Sequence, residues 1–154
     1  RNSLVGFVAM DGDTLAGFVY GYQTSVSVMI DIKLKEFFQD LLLPSNEPIG
    51  IFKTIAVSRE YAGKGLGKTL ANALLKKLVE RTPKVYTVIW KQSENKSNEI
   101  VFGKLGFKEI TTVQNYWESE SLQLYYSCNI CGSPPCKCSA AVLCYDTRIA
   151  VHKL

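Results

Sequence analysis

Histidine and cysteine are both scarce over most of this sequence. His152, close to the end, is the single histidine among 154 residues, and we interpret it as a tail residue rather than as a general base. The first 127 residues contain no cysteine, and all five cysteines fall between positions 128 and 144. This clustering excludes a disulfide framework for the whole domain and favours a reducing, cytoplasmic setting.

Long apolar runs and basic clusters are absent as well. No stretch approaches the roughly 18 apolar residues of a membrane span, and residues 1–10 do not have the pattern of a signal peptide. No Lys/Arg run or aromatic RNA-binding motif is present, so we expect neither a membrane nor a nucleic-acid partner. The net charge of +4 is mild and suits an anionic small ligand.

The remaining composition is that of a soluble globular protein. Hydrophobic residues make up 47% and charged residues 21% of the chain. A length of 154 residues predicts one domain, covering residues 1–154.

Hydrophobic periodicity predicts a mixture of strands and helices. Two runs rich in β-formers, 3–10 and 14–22, flank Asp11-Gly12-Asp13 and predict a hairpin. Residues 31–43 have the spacing of an amphipathic helix, which Asp31 would cap and Pro44 would end; its apolar face would comprise Leu34, Phe37, Phe38, Leu41 and Leu42. Strands are predicted at 50–58, 84–91, 107–116 and 139–146. One helix is predicted from Leu66 to about Arg81, and a short helix follows the Ser/Asn-rich stretch 92–98 and ends at about Leu105. The order β-β-α-β-α-β-α-β-β indicates an α/β or α+β sheet with helices on its faces.

A glycine-rich turn joins the 50–58 strand to the next helix. Gly63, Gly65 and Gly67 let the backbone approach a ligand closely, and the free N–H groups of the helix start favour an anion. Lys64 and Lys68 add positive charge, so the loop is a candidate pyrophosphate cradle. The spacing fits neither a P-loop nor the dinucleotide-binding G-x-G-x-x-G pattern. Taken alone, the glycine pattern would also fit a simple tight turn between a strand and a helix.

Two segments give this loop a specific resemblance. The run IAVSREYAGKGLGKTLANALLKKL resembles motif A of the GCN5-related N-acetyltransferase family, and SNEIVFGKLGFKEI resembles that family's next motif. Together they cover about residues 50–110. The resemblance implies a mixed, mostly antiparallel central sheet with helices on both faces and splayed central strands.

The resemblance also implies roles for particular residues. The strand with Ile55, Ala56 and Val57 would pair with the amides of pantetheine and polarise the thioester carbonyl. Asn98 would bond the pantetheine arm, and Phe102 would pack near the thiol. The cradle for the pyrophosphate of acetyl-CoA would comprise Gly63, Lys64, Gly65, Leu66, Gly67 and Lys68.

Three positions depart from the family pattern. Ala62 stands where the family has Gln or Arg, which removes a side chain but leaves the backbone cradle. Phe102 replaces an aromatic that often carries a proton-donating hydroxyl, and Ile51 falls near the place of a catalytic glutamate in some members. The catalytic residues are therefore unassigned. The chemically suitable candidates are Glu47, Glu118, Glu120, Tyr116 and Tyr145. The resemblance places the family's usual first strand and two helices ahead of the first predicted strand. Either the helix at 31–43 does part of their work, or residues upstream of this sequence supply them.

The cysteines suggest a second, structural site. Four of them lie within eleven residues, between the last two predicted strands: Cys128, Cys131, Cys136 and Cys138. Four thiolates can close a tetrahedral zinc site with no open position, so zinc there would be structural. Free thiols, disulfides or a redox pair are the alternatives. Cys144 is predicted to be a small core residue of the last strand.

The sequence thus predicts an N-acetyltransferase that moves an acetyl group from acetyl-CoA to an amine of a small molecule or peptide. The alternative is a non-catalytic module that binds acyl-CoA, or a zinc-stabilised interaction domain. The last strand is also predicted to be exposed and able to pair across a homodimer.

Overall fold

A computed structural model describes residues 2–29, 32–41, 43–91 and 96–150. The strands are β1 (Ser3–Asp11), β2 (Thr14–Ser25), β3 (Pro48–Val57), β4 (Lys84–Lys91), β5 (Lys108–Val113) and β6 (Ser139–Asp146). The helices are α1 (Ile32–Asp40), α2 (Leu66–Val79), α3 (Ser97–Leu105), α4 (Glu118–Leu124) and the short α5 (Thr147–Ala150). Asp31, Leu42 and His152, which the sequence analysis singled out, lie outside the described residues.

The strands form a mixed six-stranded sheet in the order β1-β2-β3-β4-β6-β5. The pairs β1–β2, β2–β3 and β5–β6 are antiparallel, and β3–β4 is parallel. The mostly antiparallel α/β fold expected from the resemblance is confirmed. The predicted exposure of the last strand is wrong, because β6 lies between β4 and β5 and is not an edge strand.

The chain packs into two compact units. Residues up to Tyr86, together with those from Asp146 onward, form the first unit, and Thr87–Tyr145 form the second. The predicted hairpin opens the first unit: β1 and β2 pair from Ser3↔Gln23 to Asp11↔Thr14. Gly12 supplies the left-handed turn at φ +58°.

Helix α2 packs on β1, β2 and β3 through a leucine stripe. Leu70, Leu74 and Leu78 recur every fourth residue and are buried. They face glycines of the sheet: a Cβ built on Gly17 would lie 3.1 Å from Leu70 Cδ1, and one on Gly21 would lie 3.4 Å from Leu74 Cδ2. The glycines therefore let the helix approach the sheet closely.

Helix α1 completes the first core. Phe38 is fully buried and packs edge-on against Tyr86, with ring centroids 4.6 Å apart. Leu34 is also buried, whereas Leu41, predicted on the same face, is 44% exposed because the helix ends at Asp40.

The second unit has a core of its own. Phe102 of α3 packs edge-on against Phe107, with ring centroids 5.3 Å apart, and Ala140, Ala141, Val142 and Leu143 of β6 are buried. Gly106 ends α3 at φ +101°, as predicted for a left-handed C-terminal residue. Helix α4 was not predicted.

Candidate functional site

The loop between β3 and α2 is shaped by two left-handed glycines. Gly63 and Gly65 have φ values of +75° and +84°, a conformation that side-chain-bearing residues rarely adopt. No atom lies within 4 Å of a Cβ built on either one, so the backbone conformation, not space, requires glycine.

The loop presents unpaired backbone amides at the start of α2. The first helical bond runs from the Thr69 N–H to the Gly65 carbonyl at 3.1 Å. The four preceding N–H groups, those of residues 65–68, have no partner within the helix. Gly65, at the N-cap, has no side chain to cap them. Lys64 and Lys68 are exposed beside these amides, so the helix dipole and both charges favour an anion.

Tyr61 holds this loop against the β1–β2 hairpin. Its hydroxyl donates to Asp11 Oδ2 at 2.9 Å, and this hydrogen bond raises the pKa of the phenol. Lys64 Nζ lies 5.7 Å from the centre of the Tyr61 ring. Sequence reasoning missed this anchor because Asp11 and Tyr61 are 50 residues apart.

Strand β3 carries an irregularity just before the loop. Tyr20 pairs with Thr54 and the adjacent Gly21 pairs with Phe52, so Lys53 is an extra residue on β3. Such a bulge bends the strand and strengthens its twist. Among the described residues, parallel pairing with β4 covers only residues 49–51 against 84–86, ahead of the bulge.

Beyond the bulge, β3 therefore has a backbone edge that is not paired with β4 in the described register. The Ser58 N–H donates to the Ala16 carbonyl at 2.9 Å, and bonded pairs alternate along an antiparallel ladder. Because bonded pairs alternate, Ala56 directs its backbone N–H and C=O groups to β2. Ile55 and Val57, on either side of it, direct their backbone N–H and C=O groups to the edge of β3 that faces away from β2. These groups can bond an extended amide-bearing ligand.

Asn98 and Phe102 belong to the second unit, on α3. Asn98 is exposed near the start of the helix. Phe102 is only 6% exposed, because its ring packs on Phe107. Ile51, at the family's glutamate position, is 2% exposed and is an ordinary core residue of β3.

The candidate acid–base residues have varied surroundings. Glu118 forms an ion pair with Lys137. The Tyr116 ring packs against Trp117 with centroids 5.0 Å apart, and the Tyr145 ring packs against Phe107 with centroids 5.7 Å apart. None of these contacts assigns a catalytic role.

The four clustered cysteines come together in the second unit. The sulfurs of Cys128, Cys131, Cys136 and Cys138 all lie within 4.8 Å of one another. Two separations are 3.7 Å (Cys128 to Cys138) and 3.5 Å (Cys131 to Cys138). A tetrahedral ion with metal–sulfur bonds of about 2.3 Å would place sulfurs about 3.8 Å apart. The donor set and its spacing therefore fit a closed tetrahedral metal site.

The chain around the cysteines has two turns that aim backbone amides at sulfur. The Ile130 N–H donates to Cys128 Sγ at 3.4 Å, and the Lys137 N–H donates to Cys131 Sγ at 3.3 Å. Gly132, at φ +75°, closes the first turn, with reciprocal 2.8 Å hydrogen bonds to the Cys128 backbone. N–H donors stabilise negatively charged sulfur, as a metal-binding thiolate requires.

The thiols differ in their ease of ionisation. The backbone N–H of Cys131, followed by that of Ile130, lowers the pKa of Cys128 to about 7. Burial raises the pKa of Cys138 to about 12 and also raises the pKa of Cys136. Cys144 is only half-buried on β6 rather than a core residue, and it is not part of the cluster.

Helix α4 is tied to the cysteine loop by Ser121. This fully buried hydroxyl accepts a hydrogen bond from the Cys136 N–H at 2.8 Å and donates to the Glu118 carbonyl at 2.9 Å. The Tyr116 N–H donates to the Cys138 carbonyl at 3.1 Å. The loop and α4 thus form one connected structure within the second unit.

Comparison with known proteins supports the family resemblance. Residues 43–118 match the family model described as FR47-like protein. Arabidopsis thaliana NAA60, solved with a bisubstrate analogue, aligns over 93% of this chain and 75% of its own, with 16% identity and a TM-score of 0.63. The ribosomal-protein-S18-alanine N-acetyltransferase of Escherichia coli aligns over 94% and 69%, with 19% identity and a TM-score of 0.60. No curated protein matches the sequence significantly.

The resemblance to the GCN5-related N-acetyltransferase family that the two motifs predicted is confirmed by the family-model match, which covers just under half of the chain. The chain's fold is the mixed α/β fold of these enzymes. Among the described residues, no helix has the length and apolar character needed to cross a membrane.

Proposed function

We propose that the protein transfers an acetyl group from acetyl-CoA to a primary amine. The observation that carries this proposal is the uncapped start of α2, with its free amides and two exposed lysines, directly after a strand with an open backbone edge. An anionic diphosphate followed by an amide-bearing arm is the ligand chemistry that these two features complement.

Each part of the cofactor has a proposed partner. The amides of residues 63–68 hold the diphosphate, and the edge groups of Ile55 and Val57 bond the pantetheine amides, with Ala56 between them. A β3 N–H polarises the thioester carbonyl as its oxygen becomes negative. Asn98 and Phe102 remain candidates for contact with the pantetheine arm.

The reaction forms a C–N bond and breaks a C–S bond. The neutral amine attacks the thioester carbon, its surplus proton passes to a base or to water, and CoA leaves as the thiolate. A thiol pKa of about 8.5 makes that leaving group acceptable without a dedicated acid. This is consistent with Phe102, which cannot donate a proton, at the position of the family's hydroxyl-bearing aromatic.

Peptide or protein amines are the first acceptors to assay, ahead of small-molecule amines. Arabidopsis thaliana Naa50 was solved with the bisubstrate analogue CoA-Ac-MVNAL, and it aligns over 92% of this chain and 72% of its own, with 18% identity and a TM-score of 0.59. The test is release of free CoA thiol from acetyl-CoA across a panel of peptides and small amines. Amine-dependent release supports the enzyme. Saturable acetyl-CoA binding without turnover of any amine supports the alternative, a non-catalytic acyl-CoA-binding module.

We also propose that the four clustered cysteines bind one structural zinc ion. Four thiolates would fill its coordination sphere, so the ion would order the loop and leave no site for water. The expected result is one zinc per chain by elemental analysis, lost in Cys138→Ser and retained in the control Cys144→Ser. Intact chain without zinc, or zinc unaffected by Cys138→Ser, would contradict this proposal.

Metal-bound thiolates also support a reducing, cytoplasmic location. We further propose that both units belong to a single acetyltransferase domain, with neither nucleic acid nor membrane as a partner.

A further inference from the structure

The second unit contains an aromatic pocket that neither acetyl transfer nor the metal explains. It has a volume of about 250 Å³ and is lined by Trp90, Trp117, Tyr126, Ser127, Cys128, Asn129 and Cys136. This volume is below the roughly 300–1,000 Å³ of pockets for drug-sized ligands, so it suits a small headgroup. Three of its seven lining residues are aromatic, and none is an Asp, Glu, Lys or Arg.

The rings are held in place by their surroundings. The Trp90 indole interacts with the sulfur of Cys138, which places one ring beside the cysteine cluster. Trp117 precedes α4 and packs edge-on against Tyr116 at 5.0 Å, and Tyr126 follows that helix. All three lining rings are half-buried, so each keeps part of its surface open to solvent. They form a fixed aromatic surface rather than a filled core.

The charges around the pocket favour a cation. Helix α4, which runs between Trp117 and Tyr126, has Glu118 and Glu120 in its first turn and no basic residue in its last. Lys137, the neighbouring base, is engaged in an ion pair with Glu118. Two of the clustered cysteines also line the pocket. With the proposed zinc ion bound, the four thiolates and the ion would carry a formal charge of −2.

We infer that this pocket binds an alkylammonium group through contacts with the faces of Trp90, Trp117 and Tyr126. Aromatic rings attract a cation that has shed part of its water, and cages of this kind recognise quaternary ammonium groups. The lining has no carboxylate to act as a counter-ion, so the rings supply the recognition and the surrounding negative charge supports it.

Choline and its uncharged isostere 3,3-dimethylbutan-1-ol test the inference on the intact protein. Both tryptophans of the chain line the pocket, so intrinsic fluorescence reports binding directly. At constant ionic strength we expect choline to bind saturably and about tenfold more tightly than the isostere. Equal affinities for the two compounds would show that the pocket recognises apolar shape and not charge. The absence of saturable choline binding would show that the pocket is not an alkylammonium site. Either result overturns the inference.

Variants at two adjacent tyrosines provide the matched comparison. Tyr126→Leu removes a lining ring and should weaken choline binding several-fold, whereas Tyr126→Phe should retain it. Tyr125→Leu is the control, because Tyr125 is 81% exposed and does not line the pocket. Far-UV circular dichroism and metal content identify any variant that has misfolded. If Tyr126→Leu misfolds, the Tyr126→Phe variant and the comparison of choline with its isostere still test the inference. Choline binding that is unchanged in a folded Tyr126→Leu protein contradicts the inference.

Discussion

Replacing Gly21 with alanine tests the close approach of β2 to β3 beside the bulge. Gly21 lies opposite the bulge, and a Cβ there would lie 2.3 Å from the Ile51 carbonyl oxygen and 3.4 Å from Leu74 Cδ2. The nearer atom belongs to the backbone of a buried strand, so it cannot move aside cheaply. Overpacking of this kind costs about 1–3 kcal/mol. For a chain of this size, that corresponds to a fall in Tm of roughly 2–12 °C.

The assay is urea unfolding followed by far-UV circular dichroism, with Gly67→Ala as the control. A Cβ on Gly67 would meet Val57 Cγ2 at 3.6 Å, an ordinary contact, and alanine is a better helix residue than glycine. We expect Gly21→Ala to lower the unfolding midpoint at unchanged m-value and Gly67→Ala to leave it equal or higher. If both variants have the same unfolding midpoint as the wild type, the close contact of Gly21 with the β3 backbone described above is wrong.

Two further predictions concern single hydrogen-bonding groups. Ser121→Ala leaves the buried Cys136 N–H without its acceptor, which costs about 1–3 kcal/mol. The variant should therefore lose zinc to a chelator more readily than the wild type. Unchanged zinc retention would show that α4 does not support the cysteine loop. Arg148 lowers the pKa of the Asp146 carboxyl, so this pair stabilises the fold above the unfolded pKa of about 3.9 and is lost as pH falls through the lower, folded pKa. Asp146→Asn should therefore lose less stability than the wild type on acidification from about pH 6 to about pH 3; equal losses would contradict the ion pair.

The sequence predicted the elements whose signals are local. The four-residue leucine spacing defined α2, and in the structure those leucines face glycines of the sheet. The left-handed Gly106 and the Asp-Gly hairpin were likewise predictable, because each depends on a few neighbouring residues. The cysteine cluster followed the same logic, since only ten residues separate its first and last members.

Features that depend on tertiary contacts were not predictable. Helix α4 has no buried apolar stripe, since Leu122 and Leu124 are more than half exposed, and its buried contact is the serine at position 121. The aromatic pocket joins residues 90, 117 and 126, which no local spacing connects. The predicted exposure of the last strand was wrong because strand order depends on long-range pairing, and β6 lies between β4 and β5. No sequence signal marks the bulge at Lys53.

Acetyl-CoA binding to a size-matched pair of variants that differ in charge tests the central claim most directly. Gly67→Asp and Gly67→Asn place side chains of nearly equal size among the free amides of α2, but only the first adds negative charge beside the diphosphate. Aspartate in a first helical turn does not disfavour the helix, so both variants should fold. By calorimetry, we expect the wild type to bind acetyl-CoA and Gly67→Asp to bind at least about tenfold more weakly than Gly67→Asn. Equal affinities in the two folded variants, or no saturable binding to the wild type, would contradict the assignment of the α2 start as the cofactor site.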